Sequence, residues 1–202
     1  MVKRTGAPAK LVSKAAVGAR LRGLRKQKGL TLKQLSQSSG VPVSTLSKIE
    51  LGQTSLNYDK LVALALGLDV EVSALMQTGD HPTDTAVLAG LAIKVSSVNH
   101  DEYATENYQH KFLFGDVGGK VMTPILATVF SRDSDEFTDF IRHRGQEFAF
   151  VLSGSVRIVF ENGKTIDLKK DEAAYFDSSV GHMYLSMSKT PAKVLAVCSD
   201  RP

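Results

Sequence analysis

The stretch His143-Arg144-Gly145-Gln146-Glu147, followed by the apolar run Phe148–Leu152 and Gly154, sets an imidazole and a carboxylate four residues apart at the mouth of a β-type segment. Imidazole nitrogen and carboxylate oxygen are donors that iron, manganese and zinc accept. Strand residues four apart face the same side, provided the intervening Arg-Gly-Gln turn keeps phase. The same side chains can equally line a dry or water-filled pocket and hydrogen-bond to one another.

A second chemistry lies upstream, in Leu30–Ser55 (LTLKQLSQSSGVPVSTLSKIELGQTS). Leu46 and Ile49 give a short helix, from about Pro42 to Leu51, one apolar face. Val43, Ser44, Thr45 and Lys48 then point outward. A valine can meet a thymine methyl, hydroxyls can bond base edges or phosphate, and a lysine can reach guanine or phosphate. Thr31, Lys33, Arg20 and Arg25 are placed for backbone phosphates, which set affinity and orientation rather than sequence choice.

The elements that must position these residues follow two patterns. From Ala16 to Met76 apolar residues recur at three and four, as in Leu32 and Leu35, Leu46 and Ile49, or Leu61, Leu64 and Leu68, which is helical spacing. Thr31 with Gln34 reads as a capping box, and Gly29, Gly40, Gly52 and Gly67 punctuate the pattern, so five short helices are expected. The pattern changes near residue 80, and beyond the polar stretch Gln77–Val87 short β-rich runs predominate: Ile125–Phe130, Phe137–Ile141, Phe148–Leu152, Val156–Phe160, Ala173–Phe176, Met183–Leu185 and Val194–Val197. Asn162-Gly163 predicts a two-residue type I′ hairpin turn.

Charge divides the chain at the same place. The sequence of 202 residues carries a net charge of +4. Residues 1–80 hold 12 Lys and Arg against 5 acids, and residues 81–202 hold 13 against 16. A cationic front and a mildly acidic rear predict a polyanion partner for the front alone. No apolar run approaches the roughly 18 residues of a membrane span, and the basic N-terminus lacks the apolar core of a secretion signal, so no membrane partner and a cytoplasmic location are expected. The single cysteine, Cys198, has no disulfide partner within the chain and is expected to be small buried filler near the last strand.

A capped helix, a turn on Gly40-Val41, a second helix with Leu46 and Ile49, and the ending Glu50-Leu51-Gly52 together resemble the XRE (phage repressor and Cro) family over about Val17–Met76. The resemblance implies a lambda-repressor-like helix-turn-helix domain with the helix from about Pro42 to Leu51 in the major groove. Pro42 replaces the family's usual Ser or Thr cap, and Leu51 its usual Arg or Asn.

The rear of the chain resembles the cupin barrels over about Met122–Ser199. Ile141-Arg142-His143, then Glu147 and Gly154, match the first motif, and Lys170-Asp171 through His182 match the second. The resemblance implies an all-β double-stranded β-helix, or jelly-roll barrel, with His143, Glu147 and His182 as a set of two imidazoles and a carboxylate for a divalent metal (iron, manganese or zinc). The family's first histidine falls on Ile141, which cannot ligate. The hydroxypropylphosphonate epoxidases are similar in joining a small helix-turn-helix-like domain to a cupin that holds iron through His, Glu and a distal His.

The expectation is an α+β two-domain chain: a basic tail over 1–14, a helix-turn-helix domain over 15–77, a linker and lead-in over 78–105 that includes the polar stretch Gln77–Val87, and a cupin domain over 106–202. Its function is read as regulation, not catalysis. A homodimer binds a double-stranded DNA operator, with further phosphate contact from Lys3, Arg4 and Lys10. A small effector, anionic if the arginines contribute, enters near Arg142, His143, Glu147, Arg157, His182 and Tyr184. The alternative is a mononuclear-iron enzyme of the epoxidase kind.

Overall fold

The computed structural model describes residues 2–3, 12–70, 72–76, 93–94, 102–115, 117 and 120–199. The linker stretch Gln77–Val87 and the side chains of Lys3, Arg4 and Lys10 lie outside the described residues.

Five helices occupy the front: α1 (Lys14–Gln27), α2 (Leu32–Ser39), α3 (Val43–Glu50), α4 (Tyr58–Leu68) and α5 (Val72–Met76). Local chemistry fixes their ends. Ser13 accepts from the Ala16 amide to start α1, and Thr31 with Gln34 completes a full capping box on α2. Gly40 stops α2 in the left-handed region at φ 74°. The spaced leucines then meet in one core, with Leu21, Leu35, Leu46, Leu61, Leu64 and Leu75 without exposed surface. Gly18 of α1 lets α3 approach so closely that a Cβ there would lie 2.1 Å from the Ile49 carbonyl oxygen.

The strands are β1 (Val2–Lys3), β2 (Ile93–Lys94), β3 (Glu102–Ala104), β4 (Tyr108–Phe112), β5 (Thr123–Val129), β6 (Gln146–Ser153), β7 (Ser155–Phe160), β8 (Thr165–Lys169), β9 (Ala173–Asp177), β10 (His182–Ser186) and β11 (Ala192–Ser199). β1 and β2 pair in parallel. The others form a six-stranded sheet in the order β3-β4-β5-β11-β6-β9 and a three-stranded sheet in the order β10-β7-β8. Among the described residues these ladders do not close into one continuous barrel. The chain divides into two compact units, one holding the helices with Tyr103 and residues 114–119, the other holding residues 104–113 and those from 120 onward.

Two local expectations are corrected, and three strands were not expected. Phe137–Ile141 is not a strand: Asp133 and Glu136 form a capping box around a 3-10 turn at Ser134–Glu136, and the ladder contact that follows is the isolated pairing of Ile141 with His182. The hairpin between β7 and β8 has a three-residue loop rather than a type I′ turn. Phe160 N donates to Lys164 O, Gly163 N donates to Phe160 O, and Gly163 takes φ 82° while Asn162 stays on the negative side. Strands β3, β4 and β8 lack the apolar runs that identify the others; in β8 only Leu168 is buried.

Candidate functional site

On the front unit, α3 turns Leu46 and Ile49 into the core and leaves Val43 (42% exposed), Ser44 and Lys48 on the surface, with Thr45 half-buried. Pro42 stands at the N-cap and makes no side-chain cap bond. Lys33 on α2 is exposed, whereas the Thr31 hydroxyl is used in its capping box, accepting from Gln34 N and donating to Gln34 Oε1.

The two arginines turn into the domain. Arg20 Nε donates to Ala74 O at 3.0 Å, tying α1 to α5. Arg25 grips Glu50 with both arms, at 2.6 and 2.8 Å, and donates to Leu30 O at 2.7 Å. The side chains of Arg25 and Glu50 are 11% and 6% exposed, so this fork clamps the end of α3 instead of facing phosphate. The Glu50 carboxylate raises the Arg25 pKa further, chiefly through the hydrogen bond, against the opposing effect of burial.

In the rear unit burial sorts the predicted residues. Ile141 and His143 are buried, and Arg142 and Arg144 between and beyond them are exposed. Arg142 reaches outward to Glu161 (2.6 Å) and Asp139 (3.2 Å). On β7, Val156, Ile158 and Phe160 go inside, so Arg157 goes outside, where it pairs with Asp167 at 2.6 Å. Arg142 and Arg157 thus point outward to surface carboxylates, Arg157 because the pleat of β7 alternates its side chains and Arg142 because its ion pairs with Glu161 and Asp139 hold it there.

His143, Glu147, His182 and Tyr184 do converge. Glu147 is 4% exposed, opposite Cys198 on β11 and Phe176 on β9. Its Oε1 accepts from Tyr184 Oη at 2.5 Å, which leaves Oε2 facing His143 Nε2 at 2.9 Å, His182 Nε2 at 3.5 Å and Cys198 Sγ at 3.6 Å. Burial pushes the Glu147 carboxyl up, but hydrogen bonds from His143 and His182 and their charge outweigh it and hold the group well below the usual carboxylate range. Burial and the neighbouring carboxylate raise the Tyr184 phenol, which stays a donor.

Each imidazole directs Nδ1 at a backbone carbonyl, His182 to Val180 O at 3.0 Å and His143 to Arg144 O at 3.4 Å. Carbonyl and carboxylate oxygens can only accept, so a ring with a single N–H satisfies one of its two contacts. The other contact of each ring calls for a second proton or for a cation between Nε2 and the carboxylate. Metal-binding histidines are oriented by this kind of outer contact. The donors thus fit a divalent ion, and the ligand atoms of His143, Glu147 and Cys198 all lie within 4.8 Å of one another.

Sequence reasoning missed three members of this neighbourhood. Cys198 is buried as expected, but its sulfur touches the carboxylate instead of merely filling space. Tyr108 and His110 occupy inward positions of β4. Tyr108 Oη accepts from Tyr184 N at 2.8 Å, and burial lowers His110 to about 4. The alternation Tyr108, His110, Phe112 was the available signal, hidden by the polar residues between them.

A helix-turn-helix profile matches residues 21–75 and a cupin domain profile matches residues 134–198. The chain is 22% identical over 187 residues to the HTH-type transcriptional regulator PuuR of Escherichia coli (strain K12), covering 91% of this chain and 93% of that protein. A crystal structure of an HTH_3 family transcriptional regulator from Vibrio cholerae superposes with a TM-score of 0.63 at 22% identity, covering 92% of this chain and 96% of that one. Hydroxypropylphosphonic acid epoxidase from S. wedmorenis covers 93% of this chain and 99% of its own at 20% identity, with a TM-score of 0.48, a likeness too distant to carry a function. No helix among the described residues is long and apolar enough to cross a membrane. The two profiles fall on the helical front and the β-rich rear, so residues 21–75 carry an XRE-type helix-turn-helix domain and residues 134–198 a cupin domain.

Proposed function

We propose that the protein is a sequence-specific transcription regulator whose rear domain binds a small effector, together with a divalent metal at the Glu147 cluster. The observation that carries the DNA-binding half is the surface of α3. Val43, Ser44 and Lys48 are exposed while Leu46 and Ile49 anchor the helix from behind. Lys33 adds an exposed cation for phosphate. Arg20 and Arg25 serve by fixing the helices that present these groups. A single recognition helix buries too little surface for tight specific binding, so a two-fold dimer on two half-sites is part of the proposal.

Iron, manganese or zinc would be held by His143, Glu147 and His182, with the tyrosine hydroxyl of Tyr184 orienting the carboxylate. The bound ion supplies a fixed positive charge inside the β unit. An effector regulates only if it binds the DNA-competent and incompetent states with different affinity. Tyr184 and Tyr108 link that cluster to β4 by hydrogen bonds between Tyr108 Oη and the Tyr184 backbone.

The test is selection of binding sites from random-sequence duplex DNA, followed by affinity measurement on the enriched site. Replacing Lys48 and Ser44 together by alanine is expected to weaken binding by about tenfold or more at fixed salt and to reduce the slope of log affinity against log salt by about 1. Failure to enrich any sequence, or an unchanged affinity in the double variant, overturns the reading.

A further inference from the structure

We propose that Cys198 is the fourth donor of this centre, so that the rear domain holds a thiophilic divalent cation of the zinc class in a two-histidine, one-glutamate, one-cysteinate site. The inference rests on reading the cluster as a metal site and extends it. Ile141, where the cupin pattern has its first histidine, is a hydrocarbon, and its backbone pairs with His182. The missing donor comes instead from the neighbouring strand. Cys198 on β11 stands directly opposite Glu147 on β6, and residues so paired project to the same face of the sheet.

The ligand atoms of His143, Glu147 and Cys198 lie close enough together for one ion, and His182, near the carboxylate but outside that group, closes the shell by moving toward it on binding. Zinc bonds of roughly 2.0 Å to nitrogen and oxygen and 2.3 Å to sulfur set tetrahedral edges of about 3.3 Å between N and O and about 3.5 Å between S and O. The observed edges to Glu147 Oε2 are 2.9 Å from His143, 3.5 Å from His182 and 3.6 Å from Cys198. Tyr184 occupies Oε1, which restricts the carboxylate to one ligating oxygen. The thiol is 1% exposed and forms no disulfide, so the sulfur is kept in its reduced form. On binding, a metal–sulfur bond replaces the S–H bond, and the proton leaves to solvent.

A thiolate changes what the centre selects. Soft sulfur favours zinc and copper(I) over the hard ions that all-oxygen sites prefer, and iron oxygenase centres of the two-histidine, one-carboxylate kind keep open positions. Four protein donors close the shell, as in structural zinc sites. An effector then acts beside the ion, not on it.

Cobalt(II) substitution of the full-length protein tests this with Co2+ alone as the probe. Wild type is expected to show the strong visible bands of a tetrahedral ion and a sulfur-to-cobalt charge-transfer band in the near ultraviolet. Cys198→Ser should lose the near-ultraviolet band and retain metal with at least tenfold weaker affinity. X-ray absorption of the zinc-loaded wild type, which needs no variant to fold, should show one sulfur neighbour at about 2.3 Å. Visible bands without a sulfur band, or a zinc shell of nitrogen and oxygen alone, overturns the cysteine assignment and leaves the metal reading intact. If neither cobalt nor zinc binds stoichiometrically, the metal reading itself fails and this inference with it.

Discussion

Gly18→Ala is expected to destabilise the front unit by about 3 kcal/mol and to reduce DNA affinity at least a hundredfold, although the substitution improves intrinsic helix propensity. The two effects have opposite signs, which makes the outcome diagnostic. In an exposed helix interior alanine stabilises by roughly 0.5–1 kcal/mol relative to glycine. Here the added methyl would sit 2.1 Å from the Ile49 carbonyl oxygen and 3.2 Å from that of Glu50. Both are backbone atoms of α3, so no side chain can swing aside. Overpacking of this kind costs typically 1–3 kcal/mol, occasionally more, because the helix itself must move. Displacement of α3 carries Ser44 and Lys48 with it and strains the Arg25–Glu50 clamp at its end. Circular dichroism through a thermal scan, with affinity measured on a selected duplex at fixed salt, gives both readouts. A stabilised variant with unchanged affinity would show that α1 and α3 do not pack at Gly18.

The front unit was largely legible because its information is local. Thr31 and Gln34 announce a helix start, Gly40 a stop, and Leu35, Leu46 and Ile49 recur at helical spacing, so each element is specified within its own ten residues. The direction of Arg20 and Arg25 was not legible. Their partners, Ala74 and Glu50, lie 54 and 25 residues away, and a long flexible cation reads the same whether it meets phosphate or a buried carboxylate.

The rear unit shows the same limit more strongly. The resemblance to the two cupin motifs pointed to His143, Glu147 and His182, whereas the outward direction of Arg142 depends on Glu161, 19 residues away. Cys198 could not be assigned from spacing, because its relation to Glu147 exists only through the register of β11 against β6, 51 residues apart. Tyr108 and His110 entered through β4, whose inward polar residues disguise a buried strand as a surface one. In each case what the sequence concealed was a long-range pairing, not a local propensity.

Glu147→Ala is expected to destabilise the rear unit by about 3 kcal/mol or more and to abolish metal binding, whereas Glu147→Gln should lose the metal while keeping most of the stability. The alanine variant leaves a cavity and strips a partner from Tyr184 Oη, His143, His182 and Cys198 at once. Breaking a buried ion pair or orphaning a buried donor costs several kcal/mol, and lost volume adds to it. Glutamine preserves the volume. Its carbonyl oxygen can still accept from Tyr184, and its amide can donate to an Nε2 lone pair, which satisfies the neutral rings without any cation. It cannot supply the anionic oxygen a divalent ion needs. The chain has no tryptophan, so the transition is followed by tyrosine signals, and four of the five tyrosines (Tyr58, Tyr103, Tyr108 and Tyr184) are buried. Unfolding by denaturant with metal content measured on the same samples separates the roles. If the alanine variant were as stable as wild type, the carboxylate would not organise this core. If the glutamine variant kept stoichiometric metal, the ion would be held by nitrogen and sulfur without Oε2.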